Sequence, residues 1–277
     1  MRAVVVTGAS SGIGAACVAT LAEHGFFVYA GVRSDAAAQR AEASHRNVRA
    51  LRLDVTDAAQ IEAAARTVRD ANAELAGLVN NAGLAFGGPL ETLPLDELRA
   101  QLEVNVVGAL AVTQAFLPQL RAHRARVVFV GSIAGRVAMP YLAPYAASKF
   151  ALRALADALR LELRPAGVRV CLIEPGSVAT PIWQKGLATR DALLARLGPS
   201  APSYYRDAIE AVMHALAGEE RSGMPVARVA TAVLRALTDR KPKAHVILGM
   251  PARIGAILAL LPTSLHDRFI RATMKLP

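Results

Sequence analysis

Short apolar runs rich in β-branched residues alternate with longer stretches in which apolar positions recur at helical spacing over the first 180 residues. The runs are Ala3–Val6, Phe26–Val32, Val48–Leu53, Leu78–Val79, Arg126–Val130 and Val168–Ile173. They show little polar alternation, as parallel strands buried on both faces require. Between them Gly14–His24, Ala58–Ala73, Asp96–Arg121 and Ala146–Leu163 are rich in alanine and leucine and predict helices. Strand–helix–strand repetition implies a parallel sheet with helices on both sides, wound right-handedly. A helix at Pro225–Leu237 and a strand at Ala244–Leu248 resume the pattern, so about seven strands and one doubly wound α/β domain are expected over residues 1–277.

Two segments break the alternation. Residues 181–224 contain polar breaks around two predicted helices, near Ala192–Leu197 and Ser203–Ala217, after the sixth strand. Ligands bind at that end of such sheets, so this insertion reads as a helical substrate lid. Residues 251–277 form an amphipathic, apolar tail. No uninterrupted apolar run reaches the roughly 18–20 residues that span a bilayer. The nearest, Val246–Leu261, is broken by Arg253 and suits a membrane surface better than a crossing. Only five residues separate Arg2 from Gly8, too few for the apolar core of a signal peptide.

Composition narrows the reading. With 53% hydrophobic and 19% charged residues, the chain is no disordered polymer. Two cysteines, Cys17 and Cys171, provide neither a disulfide scaffold nor a four-cysteine zinc site, and fit a reducing compartment such as the cytoplasm. The six histidines show no metal-ligand spacing, so no metal is expected. A net charge of +10 invites nucleic-acid binding, but the basic residues are scattered, mostly arginine, without a basic tract or interleaved aromatics. No nucleic-acid partner is expected; attraction of a phosphorylated cofactor is a more specific use of the charge.

The first strand runs into Thr7-Gly8-Ala9-Ser10-Ser11-Gly12-Ile13-Gly14 and then a helix. Glycines permit the tight turn and let backbone amides approach a ligand, while the helix N-terminus offers free N–H groups to a pyrophosphate. Strand before and helix after make this a Rossmann-type dinucleotide site rather than an ordinary Gly/Ser loop, with Gly8, Ser10, Ser11, Gly12, Ile13 and Gly14 as candidate contacts. An acid at the end of the second strand would hold the ribose 2′-OH of NAD. Here Val32 occupies that place, followed by Arg33 and Ser34. A guanidinium can pair with a 2′-phosphate, and Ser11 could add a hydroxyl donor, so NADP(H) is favoured over NAD(H). The alternative is that Arg33 is solvated and Asp35 takes the ribose.

Further on come Asn80-Asn81-Ala82-Gly83, Asn105, Ser132, Tyr145-Ala146-Ala147-Ser148-Lys149, and Pro175-Gly176 with Thr180. In this order, after the glycine turn, they resemble the short-chain dehydrogenase/reductase family over residues 1 to about 185. The residues carry their own chemistry. Tyr145 and Lys149 are four apart, hence on one helix face, and an ammonium beside a phenol favours the phenolate. Tyr145 then serves as acid in carbonyl reduction or base in alcohol oxidation, with Ser132 hydrogen-bonding the substrate oxygen. The resemblance implies that Lys149 also holds the nicotinamide ribose and that Asn105 supports a water-mediated proton relay to Lys149, completing a catalytic set of four. It further implies adenine contacts from Asp54 and Val55 and a cofactor wall from Asn81, Ala82 and Gly83. Pro175, Gly176, Val178 and Thr180 would surround the nicotinamide.

Tyr141 lacks a lysine four residues on, because position 145 is tyrosine, and falls to the substrate wall or to packing. Trp183, Tyr204, Tyr205, Ile209 and Met213 give the lid a mostly apolar character. They suit a hydrophobic alcohol or carbonyl, or simply close the core. Leu261-Pro262-Thr263-Ser264-Leu265 with Asp267 is similar to the retinol and steroid dehydrogenase branch, which implies a steroid-, retinoid- or lipid-like substrate. Apolar surface on Asp96–Arg121 and Ala146–Leu163 is compatible with a homodimer or homotetramer. The tail is a candidate for peripheral membrane contact. A non-catalytic NADP-binding redox sensor, or an isomerase or dehydratase on the same scaffold, remain alternatives.

Overall fold

The computed structural model describes residues 2–182, 190–198 and 203–274. Seven strands form one parallel sheet: β1 (Arg2–Val6), β2 (Phe27–Val32), β3 (Val48–Arg52), β4 (Glu74–Asn80), β5 (Arg126–Val130), β6 (Arg169–Pro175) and β7 (His245–Leu248). Their order is β3-β2-β1-β4-β5-β6-β7. The chain therefore reverses direction of winding between β1 and β4, which opens a crevice beyond the carboxyl ends of these strands. The expected Rossmann-type, doubly wound α/β domain is what forms.

The strands are runs of Val, Leu and Ile because both faces are covered. On one side lie α1 (Gly12–Glu23), α2 (Asp35–Ser44) and a late helix, Val226–Thr238; on the other lie α3 (Ala58–Asp70), α4 (Leu95–Leu102), α5 (Ala109–Ala122) and α6 (Ala143–Glu162). In α3 the buried residues Ile61, Ala64, Ala65 and Val68 recur at the spacing of one helical stripe. The helix starts where the Asp57 side chain accepts the Gln60 amide at 3.1 Å, and α2 starts likewise on Ser34.

The stretch expected as one helix, Asp96–Arg121, is continuous but not uniform. A π turn, Glu103–Gly108, joins α4 to α5 and contains Asn105. Among the described residues this is the one helical run long and apolar enough by composition to cross a bilayer. Its Val112, Phe116 and Leu120 are buried in the core against the sheet. The fourth strand is longer than the Leu78–Val79 expected, since Ala76 and Gly77 extend it without a β-branched signature.

Beyond β6, α7 (Arg190–Leu197) and α8 (Ser203–Ser222) form the insertion, and α9 (Val226–Thr238) returns to the sheet. The tail folds as α10 (Met250–Leu258) and α11 (Thr263–Met274), separated at Pro262.

Candidate active site

The crevice is built first by the end of β1. Thr7 Oγ1 accepts the amides of Asn81 and Ala82, both at 3.0 Å, and Asn81 Nδ2 donates to the carbonyls of Thr7 and Gly8 at 3.0 and 3.2 Å. These bonds bind the glycine turn to the end of β4. Gly8 has a left-handed backbone (φ +64°), and a Cβ there would lie 2.7 Å from Ala82 Cα. A Cβ on Gly14 would overlap the Gly8 carbonyl oxygen. Both glycines are thus required by close backbone approach, which leaves the start of α1 open to the crevice.

One cavity of about 570 Å³ runs along these strand ends. It brings together nearly all of the expected residues. Gly8, Ser10, Ser11, Gly12 and Ile13 line it from the glycine turn, with Arg33 after β2 and Asp54 and Val55 after β3. Asn81, Ala82 and Gly83 line it after β4, and Ser132, Tyr145 and Lys149 from β5 and α6. Pro175, Gly176, Val178 and Thr180 close it after β6. Gly14 stands behind the turn as its packing contact. Trp183 lies outside the described residues.

Arg33 is exposed at the rim, its Nη1 3.9 Å from Asp54 Oδ2. Asp54 Oδ1 is occupied by the amide and hydroxyl of Thr56 at 3.0 and 2.8 Å. Asp35, the alternative ribose partner, does not line the cavity and instead pairs with Arg52 at 3.0 Å.

At the other end, Tyr145 and Lys149 occupy successive turns at the start of α6, with Lys149 Nζ 5.6 Å from the centre of the Tyr145 ring. Lys149 is buried, and its Nζ donates to the Val130 carbonyl at 3.0 Å. Removal from water brings its pKa down from 10.5 to about 8. Ser132 Oγ accepts the Ala134 amide at 3.1 Å, which fixes the turn after β5 and leaves the hydroxyl proton for another acceptor.

Asn105 is placed behind this wall. Its Oδ1 accepts the Leu84 amide at 2.8 Å, and its Nδ2 donates to the Leu84 carbonyl and to Ser148 Oγ, both at 2.9 Å. Ser148 Oγ in turn donates to the Tyr145 carbonyl at 2.8 Å. The side chain that the resemblance linked to a relay therefore braces the cavity backbone and the first turn of α6.

Tyr141, expected on the substrate wall or in packing, takes the second place. Its backbone is left-handed (φ +66°), its carbonyl accepts the Gly88 amide at 2.7 Å, and its ring meets Tyr205 edge-on at 6.4 Å. Among the described lid aromatics, Tyr204 and Tyr205 do not line the cavity either. Tyr204 is exposed, and the Tyr205 hydroxyl donates to Glu91 at 2.6 Å, a bond that pushes the phenol pKa up to about 12. Arg196 on α7 pairs with Glu97 at 2.6 Å. These contacts fasten the lid to α4 through Glu97 and to the segment before it through Glu91.

Sequence reasoning missed two groups. The apolar end of the cavity is formed by Ile133, Val137, Met139 and Leu142 and by the tail, through Pro251, Ala252 and Gly255 of α10 and Phe269 and Ile270 of α11. Their apolar spacing was legible, their destination was not. Ser177 also lines the cavity, and its buried Oγ makes no hydrogen bond among the described residues. A buried hydroxyl without a partner is costly and suits a site completed by a polar ligand. Together with the glycine cradle and the Lys149 ammonium, it fits a dinucleotide whose phosphates, ribose and amide need donors.

A doubly wound sheet with a glycine turn at its switch point, and a tyrosine one turn before a buried lysine, defines a nucleotide-dependent oxidoreductase. The chain belongs to the short chain dehydrogenase family, whose pattern matches residues 2–191. It is 34% identical over 284 aligned positions, 99% of its length and 98% of the relative's, to the NADPH-dependent 3-dehydrocapnine reductase of Ornithobacterium rhinotracheale. It is also 34% identical to mouse retinol dehydrogenase 5 over 91% of this chain and 81% of that one. Among solved structures, a short chain dehydrogenase from Burkholderia cenocepacia in complex with NADP superposes with a TM-score of 0.72 at 30% identity, covering 96% of each chain. One from Burkholderia phymatum in complex with NAD gives 0.76 at 26%, covering all of this chain and 95% of that one. The protein is thus an oxidoreductase enzyme with relatives that bind either nicotinamide cofactor.

Proposed function

We propose that the protein is an NADP(H)-dependent oxidoreductase that interconverts a hydrophobic alcohol and its carbonyl, with Tyr145 as the proton donor and acceptor. The observation that carries this reading is one continuous cavity, which joins the phosphate-accepting glycine turn to the Ser132, Tyr145 and Lys149 side chains and ends in an apolar chamber.

In the reduction direction, the Tyr145 hydroxyl gives its proton to the substrate oxygen as charge builds there, and the Ser132 hydroxyl donates to the same oxygen. The Lys149 ammonium, close to the phenol, favours the phenolate that remains. The bound cofactor supplies or takes the hydride. Asn105 acts as a positioning residue, through Leu84 and Ser148, rather than as a group at the reacting atoms. Arg33 at the rim favours a 2′-phosphate, with Ser10 and Ser11 beside it and Asp54, Val55 and Asn81–Gly83 along the nucleotide. Pro175, Gly176, Val178 and Thr180 border the nicotinamide end.

The substrate end is walled by Val137, Met139, Leu142, Phe269 and Ile270, with no charged side chain among the described residues there to grip a small acid, and so suits a steroid-, retinoid- or lipid-like molecule. Val107, Phe150 and Leu161 expose apolar surface on the helical layer of α4 to α6, where a homodimer or homotetramer would pack. Two buried free thiols fit a cytoplasmic placement.

The test is Tyr145→Phe assayed by nicotinamide absorbance against carbonyls graded from small aldehydes to steroid and retinoid ketones. Turnover should fall by roughly 10²–10⁴-fold or more with cofactor affinity nearly unchanged. Retained turnover would refute the mechanism, and activity confined to small polar carbonyls would refute the substrate class.

A further inference from the structure

Apolar side chains exposed on this protein are not evenly spread. Of the thirteen large hydrophobic residues exposed among the described residues, seven belong to the tail: Met250, Ile254, Ile257, Leu260, Leu261, Leu265 and Phe269. The strongest exposures are Leu260 at 85%, Ile257 at 66% and Met250 at 64%. Positions 250, 254 and 257 follow a four-three spacing, which is one stripe along α10, Leu260 and Leu261 lie just past its end, and 265 and 269 are one turn apart on α11. The opposite side of the same helices is occupied, since Ala252 and Ile270 are buried and line the cavity. The tail therefore has two apolar faces, one closing the substrate chamber and one facing outward.

Charge around the outward face is one-sided. Arg253, Arg268 and Arg271 are exposed on these two helices, against one acid, Asp267. At nine residues α10 is only about 13 Å long, too short to cross an apolar layer of roughly 30 Å. Two short amphipathic helices joined at Pro262, greasy on one side and flanked by arginines, have the form of helices that lie in the plane of a lipid headgroup layer. A symmetric pairing of two copies through this face would bring their arginines together around the contact, whereas anionic headgroups would neutralise them.

We infer that α10 and α11 form a docking face for an anionic lipid surface, which sets the substrate chamber against the membrane. Phe269 belongs to both the exposed face and the chamber wall, so an apolar substrate dissolved in the lipid would meet the chamber at this point. This last step rests on the proposed apolar substrate; the docking itself does not.

The test is sedimentation of the full chain, without substrate, with vesicles of phosphatidylcholine alone or with about a third phosphatidylglycerol. Wild type should pellet with the mixed vesicles and at least tenfold less with the neutral ones. Ile257→Glu with Leu260→Glu, neither of which lines the cavity, should reduce pelleting at least tenfold while leaving the thermal melt and the reduction of a small water-soluble aldehyde unchanged. Arg253→Ala with Arg268→Ala should remove the preference for the mixed vesicles. Wild type remaining in solution with both vesicle types overturns the inference. If, in addition, Ile257→Glu with Leu260→Glu breaks a dimer or tetramer on a sizing column, the face belongs to a second copy. Failure of Tyr145→Phe to affect turnover would refute the reaction without touching the vesicle result.

Discussion

Lys149 holds a positive charge in a buried place, and removing that charge should make the empty protein more stable while destroying its activity. Lys149→Met keeps an unbranched stem of similar length but carries no charge. The fall of the lysine pKa from 10.5 to about 8 corresponds to about 3 kcal/mol against the charged form in the folded state. Below about pH 8 both folded and unfolded chains carry the proton, so the whole penalty is present. Between about 8 and 10.5 the unfolded chain keeps a proton that the folded chain has lost, and stability rises with pH. Above 10.5 the penalty has gone. Against this gain, methionine leaves the Val130 carbonyl without its lysine donor, at a cost of about 1–2 kcal/mol. The variant should therefore gain about 1–2 kcal/mol near pH 7, roughly 2–6 °C in Tm, and lose this advantage near pH 10.5. Melts of wild type and variant without cofactor at the two pH values give the difference, in which the other titrating groups cancel. A lower Tm for the variant near neutral pH, or a gain equal at both pH values, would refute the reasoning.

Two other substitutions separate specificity from stability. Arg33→Ala should raise the KM for NADPH tenfold or more and leave that for NADH within about twofold, because only the former carries a 2′-phosphate. With Arg33 exposed and 3.9 Å from Asp54, its removal should change stability by less than about 0.5 kcal/mol; equal weakening of both cofactors would mark it as a bystander. Glu174 is fully buried, and its two oxygens accept Nε and Nη2 of Arg136, both at 2.7 Å. Glu174→Gln should cost about 2–4 kcal/mol in urea unfolding, towards the lower end because Arg136 keeps some contact with water; a change below about 1 kcal/mol would refute this.

What could be read from the sequence was what local chemistry determines. The glycine turn was legible because strand, turn and helix are contiguous, and Tyr145 and Lys149 because helical spacing alone puts them on one face. The strands were legible because burial on both faces leaves unbroken apolar runs; β4 was underestimated where Ala76 and Gly77 carry no β-branched signal. Long-range pairing was hidden. Asn105 meets Leu84 and Ser148, at separations of 21 and 43 residues, and nothing in its neighbourhood names them. Aromatic composition drew Tyr204 and Tyr205 towards the substrate, yet a hydrogen bond to Glu91 fixes Tyr205 elsewhere. The tail's periodicity announced an amphipathic helix without saying that Phe269 and Ile270 would reach the chamber.

The buried polar groups explain why the site lies where it does. Thr7, Asn80, Ser132 and Glu174 lie at or just beyond the carboxyl ends of β1, β4, β5 and β6, with Ser148 and Lys149 facing them from the start of α6. An apolar α/β core gains nothing by burying such groups, and most of those here are satisfied by partners in neighbouring elements. Among the described residues that line the cavity, Lys149 and the unbonded Ser177 hydroxyl are left as the costly members. A cofactor that accepts hydrogen bonds from both recovers part of that cost only in the folded state, so binding and folding are linked. Saturating NADPH should then raise the wild-type Tm more than that of Lys149→Met, reversing the order of stability expected for the empty proteins.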